Sequence, residues 1–414
     1  MRQNRPSKSN PEKLTSLDLQ RYLSFASLTL FPIAVSVASL PVVVHHLGIS
    51  TWQEIISGQG IGLILAEVVD GGWVSLGPKL LGPEGSGSFN FRASLRERFT
   101  RFIICVGLGL GLIQLLQFHN ALVVSISFLS WITTGINIHW LSIASGVANY
   151  SRDYVVVPRI IGQIIGIGLL FFYQSTITYL LLQLLFSFLP LVISIFRFAH
   201  RDLSRDLKIE LRKNRSFIVI GNIFRSSTIW IIIVCGTSLY KTDFAGFAAI
   251  FKYLDIFASV SLVINQSNHA LMISEKGTTG AQNSQLHSII FSVVTFFLSL
   301  GLWPLAEKLL FSNQVQIDLV SAFFILCVIP FRALLYHYLQ DYLIPSERYK
   351  TATVIYSVQP FIAILILIII NTIGLRISLF PYLFVTSFIA IFLCLSIMDS
   401  FFRKFLMLLK KSNS

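Results

Sequence analysis

The stretch RFAHRDLSRDLKIELRKNR, residues 197–215, decides how the chain is read. It holds seven Lys or Arg and lies between two long apolar territories. Leu203, Leu207 and Leu211 recur at i, i+4 and i+8 among its charges, the spacing of an amphipathic helix resting in a membrane interface. Outward from it, apolar runs of about 20 residues, the length that crosses a bilayer core, follow one another. The runs 22–47, 52–77, 102–118, 121–143, 155–173 and 177–196 precede it, and 216–239, 244–272, 286–306, 315–343, 352–371 and 378–398 follow. The expectation is an all-α integral membrane protein of about twelve transmembrane helices, in two six-helix lobes around a central cavity. The lobes are residues 22–196 and 216–398, joined by the basic cytoplasmic linker 197–215 and flanked by cytoplasmic tails at 1–21 and 399–414.

Composition agrees. Of 414 residues, 54% are hydrophobic and 12% charged, where ordinary soluble domains have roughly a quarter charged. Mean hydropathy is +0.73, which excludes a soluble fold. The net charge of +13 would suit a nucleic-acid binder, so its location matters. Twenty-five of the 32 Lys and Arg fall on one side of the twelve-span arrangement, three (Lys241, Lys308, Arg376) on the other, and four inside spans. Cytoplasmic flanks carry the excess of positive charge, which places both termini in the cytoplasm. The charge is thus topological; nucleic acid is not an expected partner, whereas anionic membrane lipids are. External loops stay within about ten residues, leaving no room for an extracellular domain, and GPEGSGSFNF at 82–91 reads as a flexible cytoplasmic connection. Six runs plus six suggest internal duplication, without a residue-level repeat.

Ionisable residues inside spans cost roughly 2.5 to 3.5 kcal/mol each on insertion scales, so they mark function or buried pairing. Arg225, Lys252 and Arg332 all fall near the midplane of their spans. Ala248, Lys252, Asp255 and Ser259 share one helical face, as do Arg332, Tyr336 and Gln340. Two readings stand. The three cations bind a phosphate-bearing substrate in a central cavity, or they pair with local carboxylates, Lys252 with Asp255 at i+3 first among them. Glu67 and Asp70, three apart amid Gly58, Gly60, Gly62, Gly71 and Gly72, are candidates for ion coupling or gating, as is Asp255.

Other patterns carry less. Gly58/Gly62, Gly107/Gly111 and Gly162/Gly166 have the spacing of close helix packing. GLGLGL at 107–112 lacks the preceding strand of a nucleotide loop. His45 and His46 are adjacent and cannot share a helical metal-binding face, so no metal or other cofactor is expected. Cys105, Cys235, Cys327 and Cys394 sit singly in apolar runs, as packing residues. No nucleophile–base signature is present, and an enzyme is not expected.

The sequence LPVVVHHLGISTWQEIISGQGIGLILAEVVDGGWVSLGPKLL at 40–81 resembles the first two helices of bacterial polysaccharide flippases of the multidrug/oligosaccharidyl-lipid/polysaccharide exporter superfamily. The likeness rests on Pro41, the Leu47-Gly48 turn, Asp70 followed by Gly72, and Lys79. NIHWLSIASG at 137–146 is similar to the end of that family's fourth helix, and RKNRSFIVIGNIFRSSTIWI at 212–231 to the start of its second half. The resemblance implies a bacterial inner-membrane transporter that moves an undecaprenyl-diphosphate-linked oligosaccharide from the cytoplasmic to the outer leaflet by alternating access. Pathway glycosyltransferases and a polymerase are then implied partners. A drug or metabolite exporter of the same architecture is the first rival; three midplane cations favour an anionic cargo over the cations such exporters carry. An oligosaccharide polymerase or ligase would need larger external loops. A major-facilitator carrier would need a Gly, Asp and Arg signature between spans two and three, which is missing.

Overall fold

Glycine and proline set where the apolar runs become helices. The structure, a computed structural model, describes residues 31, 35–36, 38–73, 91–137, 152–198, 210–258, 279–311, 317–337, 349–387 and 389. Every described element is helical, with no strand among the described residues. The first half contains α1 (Ala38–Leu47), α2 (Ile49–Asp70), α3 (Phe91–Leu115), α4 (Ala121–Ile132), α5 (Val157–Tyr173) and α6 (Thr176–Phe198). The second contains α7 (Glu210–Tyr240), α8 (residues 245–258), α9 (Thr279–Leu310), α10 (Leu319–Leu326), α11 (Val328–His337), α12 (Tyr349–Ile373) and α13 (Ile377–Ser387).

Several boundaries differ from the sequence expectation, each for a local reason. The second apolar run extends to residue 77, but α2 ends at Asp70. Gly71 takes the left-handed conformation (φ 62°) and donates its N–H to the Glu67 carbonyl at 3.1 Å, closing the helix. The third span begins earlier than 102, since α3 starts at Phe91. Residues 210–215, assigned to the linker, belong to α7. The tenth span is not one helix: α10 and α11 meet at Cys327. Pro330 lacks the N–H that would bond back to Leu326, and its ring crowds that carbonyl. The fourth span tightens from α4 into a 3-10 turn, Thr133–Ile136. Capping works conventionally: Asn120 accepts from the Val123 N–H at 3.3 Å and Asp318 from the Ser321 N–H at 2.9 Å.

The two tails, the 82–90 connection, residues 199–209 of the linker, Lys79, Trp140, Ser259, Gln340 and Cys394 lie outside the described residues, as do the side chains of Arg225 and Tyr336.

Five helices are long and apolar enough to cross a bilayer: Ser94–Leu115, Arg152–Tyr173, Thr176–Ile193, Ser292–Leu310 and Thr353–Ile373. All five leave large apolar side chains exposed, with Leu115 at 77%, Phe172 at 82% and Leu185 at 65%. In water such rows would be a liability; facing hydrocarbon they are the expected surface. The core lies on the opposite faces and runs through both halves: Trp52 of α2 meets Phe311, just after α9, edge-on at 5.7 Å, and Ile55 and Ile56 share a cluster with Ile229 and Trp230 of α7. A second-half aromatic stack adds Phe380 against Phe384 at 5.5 Å and Phe384 against Phe251 at 5.5 Å.

α2 is the central wedge because it is glycine-lined on two faces. A Cβ at Gly58 would run into the Val124 carbonyl and lie 2.8 Å from the Ser127 Cβ, and one at Gly62 would lie 2.8 Å from the Trp131 Cβ, so α4 approaches backbone to backbone. Ser127 Oγ uses that proximity to donate to the Ile55 carbonyl at 2.7 Å. On the other face Gly60 leaves room for Trp230 of α7. Gln53 extends the α2–α7 seam, donating to Thr237 Oγ1 at 3.2 Å and to the Lys241 carbonyl at 2.7 Å. Within GLGLGL, Gly109 seats the Phe128 ring whereas Gly107 and Gly111 face open space.

Candidate functional site

The helices of the first half close around a cavity of about 230 Å³, to which the second half contributes Lys252. Arg159 and Lys252 are the two charged residues lining it; serine, glutamine, tyrosine and tryptophan supply its remaining polar groups.

Arg159 stands in the first turn of α5, just after Pro158 and a one-turn π segment, Arg152–Val156. Pro is tolerated there because a first-turn N–H has no helical partner. The guanidinium lies over the Trp131 ring, 5.5 Å from its centroid. One terminal nitrogen donates to Thr133 Oγ1 at 3.1 Å, and that hydroxyl in turn donates to the Ser130 carbonyl at 2.8 Å. Its Nε is buried without an acceptor. Lys252, on α8, holds Nζ 4.5 Å from the centroid of Trp230. Among the described residues no carboxylate lies within ion-pair distance of either cation. Indole faces attract cations but do not neutralise them. The cavity is therefore electropositive, in surroundings where a charge is felt more strongly than in water.

The other charged residues singled out in the sequence fall elsewhere. Arg332, at the start of α11 beyond the break at Cys327, donates to Asp255 of α8 at 3.3 Å, with both side chains mostly buried. Asp255 thus reaches across to Arg332, and Lys252 is left to the cavity. Arg225 lies on α7, its side chain outside the described residues. Glu67 and Asp70 close α2; Asp70 is buried, and neither lines the cavity. Arg98, fully buried, anchors α3 by donating to the Asn137 carbonyl at 2.8 Å. His45 and His46 pack edge to face at 5.2 Å, with His46 against Phe171.

The Asp255–Arg332 pair predicts a measurable coupling. Asp255→Asn and Arg332→Gln should each lower the thermal stability of the detergent-solubilised protein, and the double variant should lose less than their sum, by about 1 kcal/mol. Strict additivity would mean that the pair does not join α8 to α11.

Arg159 is the functional side chain that sequence reasoning passed over. It is among the four in-span cations, but its place near the start of the fifth run points to the interface rather than the interior. The signal that would have found it, Trp131 and Thr133 at the end of the neighbouring span, is a contact between helices.

No known family's sequence profile matches the chain, and no curated protein matches it. Among solved structures it is similar to the MATE multidrug transporter DinF-BH in complex with a rhodamine dye, at 13% identity and a TM-score of 0.64, over 96% of this chain and 98% of that one. It is also similar to an outward-facing multidrug resistance MATE family transporter of the MOP superfamily, at 14% identity and a TM-score of 0.49, over 93% of this chain and 94% of that one. The fold is the all-helical, membrane-embedded fold seen in DinF-BH.

Proposed function

We propose that the chain is a transporter, and that its cargo is a lipid-linked oligosaccharide, undecaprenyl-diphosphate-bound, moved from the cytoplasmic to the outer leaflet for cell-surface polysaccharide synthesis. One observation carries this reading: Arg159 and Lys252 enter one cavity from opposite halves of the chain without a carboxylate beside them, the arrangement suited to a diphosphate. The chain moves its cargo and does not transform it. Alternating access would part the α2–α7 seam at Gln53, with Asp255–Arg332 as a gate and Glu67 and Asp70 as coupling carboxylates. Arg225 and Arg332 are assigned to the path of the diphosphate beyond the cavity. The setting is the bacterial inner membrane with both termini cytoplasmic, beside the glycosyltransferases that build the cargo and a polymerase that consumes it.

The likeness to DinF-BH in its dye complex favours a second reading, export of a drug or metabolite. Against it, the cavity lining offers cations and no described carboxylate, which disfavours a cationic cargo. Depletion in the native cell separates the readings. Complete lipid-linked repeat units should accumulate in the cytoplasmic leaflet. Accumulation of unpolymerised units outside would indicate a polymerase, and no accumulation an exporter.

A further inference from the structure

The cavity's uncharged wall has a polarity of its own. Ser130 Oγ donates to the Ile126 carbonyl at 3.0 Å, Ser187 Oγ to the Leu184 carbonyl at 2.8 Å, and Ser39 Oγ to the Ser36 carbonyl at 2.8 Å. A carbonyl can only accept, so each hydroxyl has given its one proton to its own helix and turns lone pairs elsewhere. Ser39 additionally accepts from Gln163 Nε2 at 3.0 Å, which engages one of the amide's two N–H groups and leaves the Gln163 side-chain carbonyl as a further acceptor. All four residues line the same cavity as Arg159 and Lys252, and the three serines are buried.

The site is therefore two-ended: a donor end of two cations and a wall of acceptors. A bare inorganic anion satisfies the first and leaves the second unmatched. An apolar cation satisfies neither. A ligand matching both carries a phosphate next to several O–H or N–H donors. The two ends adjoin, because Ser130 neighbours Trp131, on whose ring Arg159 lies, and its carbonyl accepts from Thr133, which receives Arg159. At about 230 Å³ the cavity is below the roughly 300 to 1,000 Å³ of pockets for drug-sized ligands, which matches a diphosphate with one sugar ring and not a chain of sugars.

We propose that this wall is a saccharide subsite reading the single sugar bonded directly to the diphosphate, with Ser39, Ser130, Gln163 and Ser187 as its specificity-determining residues. The inference rests on the lipid-linked oligosaccharide reading and narrows it: selection is made on the first sugar, whatever follows it.

The test is binding by the purified full chain in lipid nanodiscs. The probes are undecaprenyl diphosphate bare, the same lipid carrying one glucose, galactose, N-acetylglucosamine or N-acetylgalactosamine, and a cationic rhodamine dye. At least one glycosylated probe should bind about tenfold or more tightly than the bare lipid. Ser130→Ala and Gln163→Leu should bring that ratio back toward one; binding of the bare lipid shows that each variant is folded. Should no sugar improve on the bare lipid, the subsite is overturned while the anion reading stands. A protein that binds the dye and neither form of the lipid overturns both.

Discussion

Arg159→Glu should reduce delivery of lipid-linked oligosaccharide to the outer leaflet at least a hundredfold, roughly 2.7 kcal/mol, while the chain stays in the membrane at normal abundance. The magnitude follows from where the charge sits. At about 4 Å and an effective dielectric constant near 20, a unit charge pair is worth about 4 kcal/mol. Reversal turns that attraction into repulsion, so even a fraction of the swing reaches a hundredfold. Arg159 makes one described hydrogen bond, to Thr133, and one ring contact, to Trp131, so its charge is needed little for packing. Lys252→Glu, at the opposite wall, should act in the same direction. The measurement is the leaflet distribution of the lipid-linked product in cells carrying only the variant, with membrane abundance determined alongside. Unaltered delivery by Arg159→Glu at normal abundance would mean that the cavity does not hold the diphosphate.

Gly58→Leu should destabilise the protein by about 3 kcal/mol and sharply lower its membrane yield. The new Cβ would collide with the Val124 carbonyl and crowd the Ser127 side chain, both on α4. These are backbone and near-backbone atoms that cannot rotate away, so α4 must move. Moving it breaks the Ser127 bond to Ile55 and disturbs Trp131, the ring beneath Arg159. Gly107 is the contrast: nothing lies within 4 Å of a Cβ built there, and Gly107→Ala should be neutral or stabilising by about 0.5 to 1 kcal/mol. Thermal unfolding of both variants in detergent checks the pair; equal effects would mean that the α2–α4 approach is not what holds this half together.

The contrast between Gly58 and Gly107 also shows how far spacing can be read. Both begin a small-xxx-small pattern, yet Gly58 and Gly62 seat α4 while Gly107 and Gly111 face open space. The same holds for the charges. Lys252 and Asp255 at i and i+3 invite a local pair, but Asp255 bonds Arg332 seventy-seven residues away. A carboxylate takes the donor with the better approach, and a neighbour on the same helix has no privilege when a guanidinium from α11 points at it. Breaks were partly legible: Gly71 and Pro330 are visible in the sequence, but a glycine or proline inside an apolar run ends one helix and only bends another, as with Pro304 inside α9.

By itself the sequence determined the medium and the element type. Apolar runs of bilayer length, charge collected on alternate connections and the basic stretch at 197–215 are properties of the chain in one dimension, and hydrocarbon leaves an unpaired backbone little choice but a helix. The tertiary structure decided which side chains share a cavity. Each residue turns a helix by about 100°, so one or two residues' uncertainty in a helix boundary sends a side chain to a different neighbour. Arg159 and Lys252 meet because α2, cleared by glycine on two faces, lets α4 and α7 draw close on either side of it, and no span taken singly contains that fact.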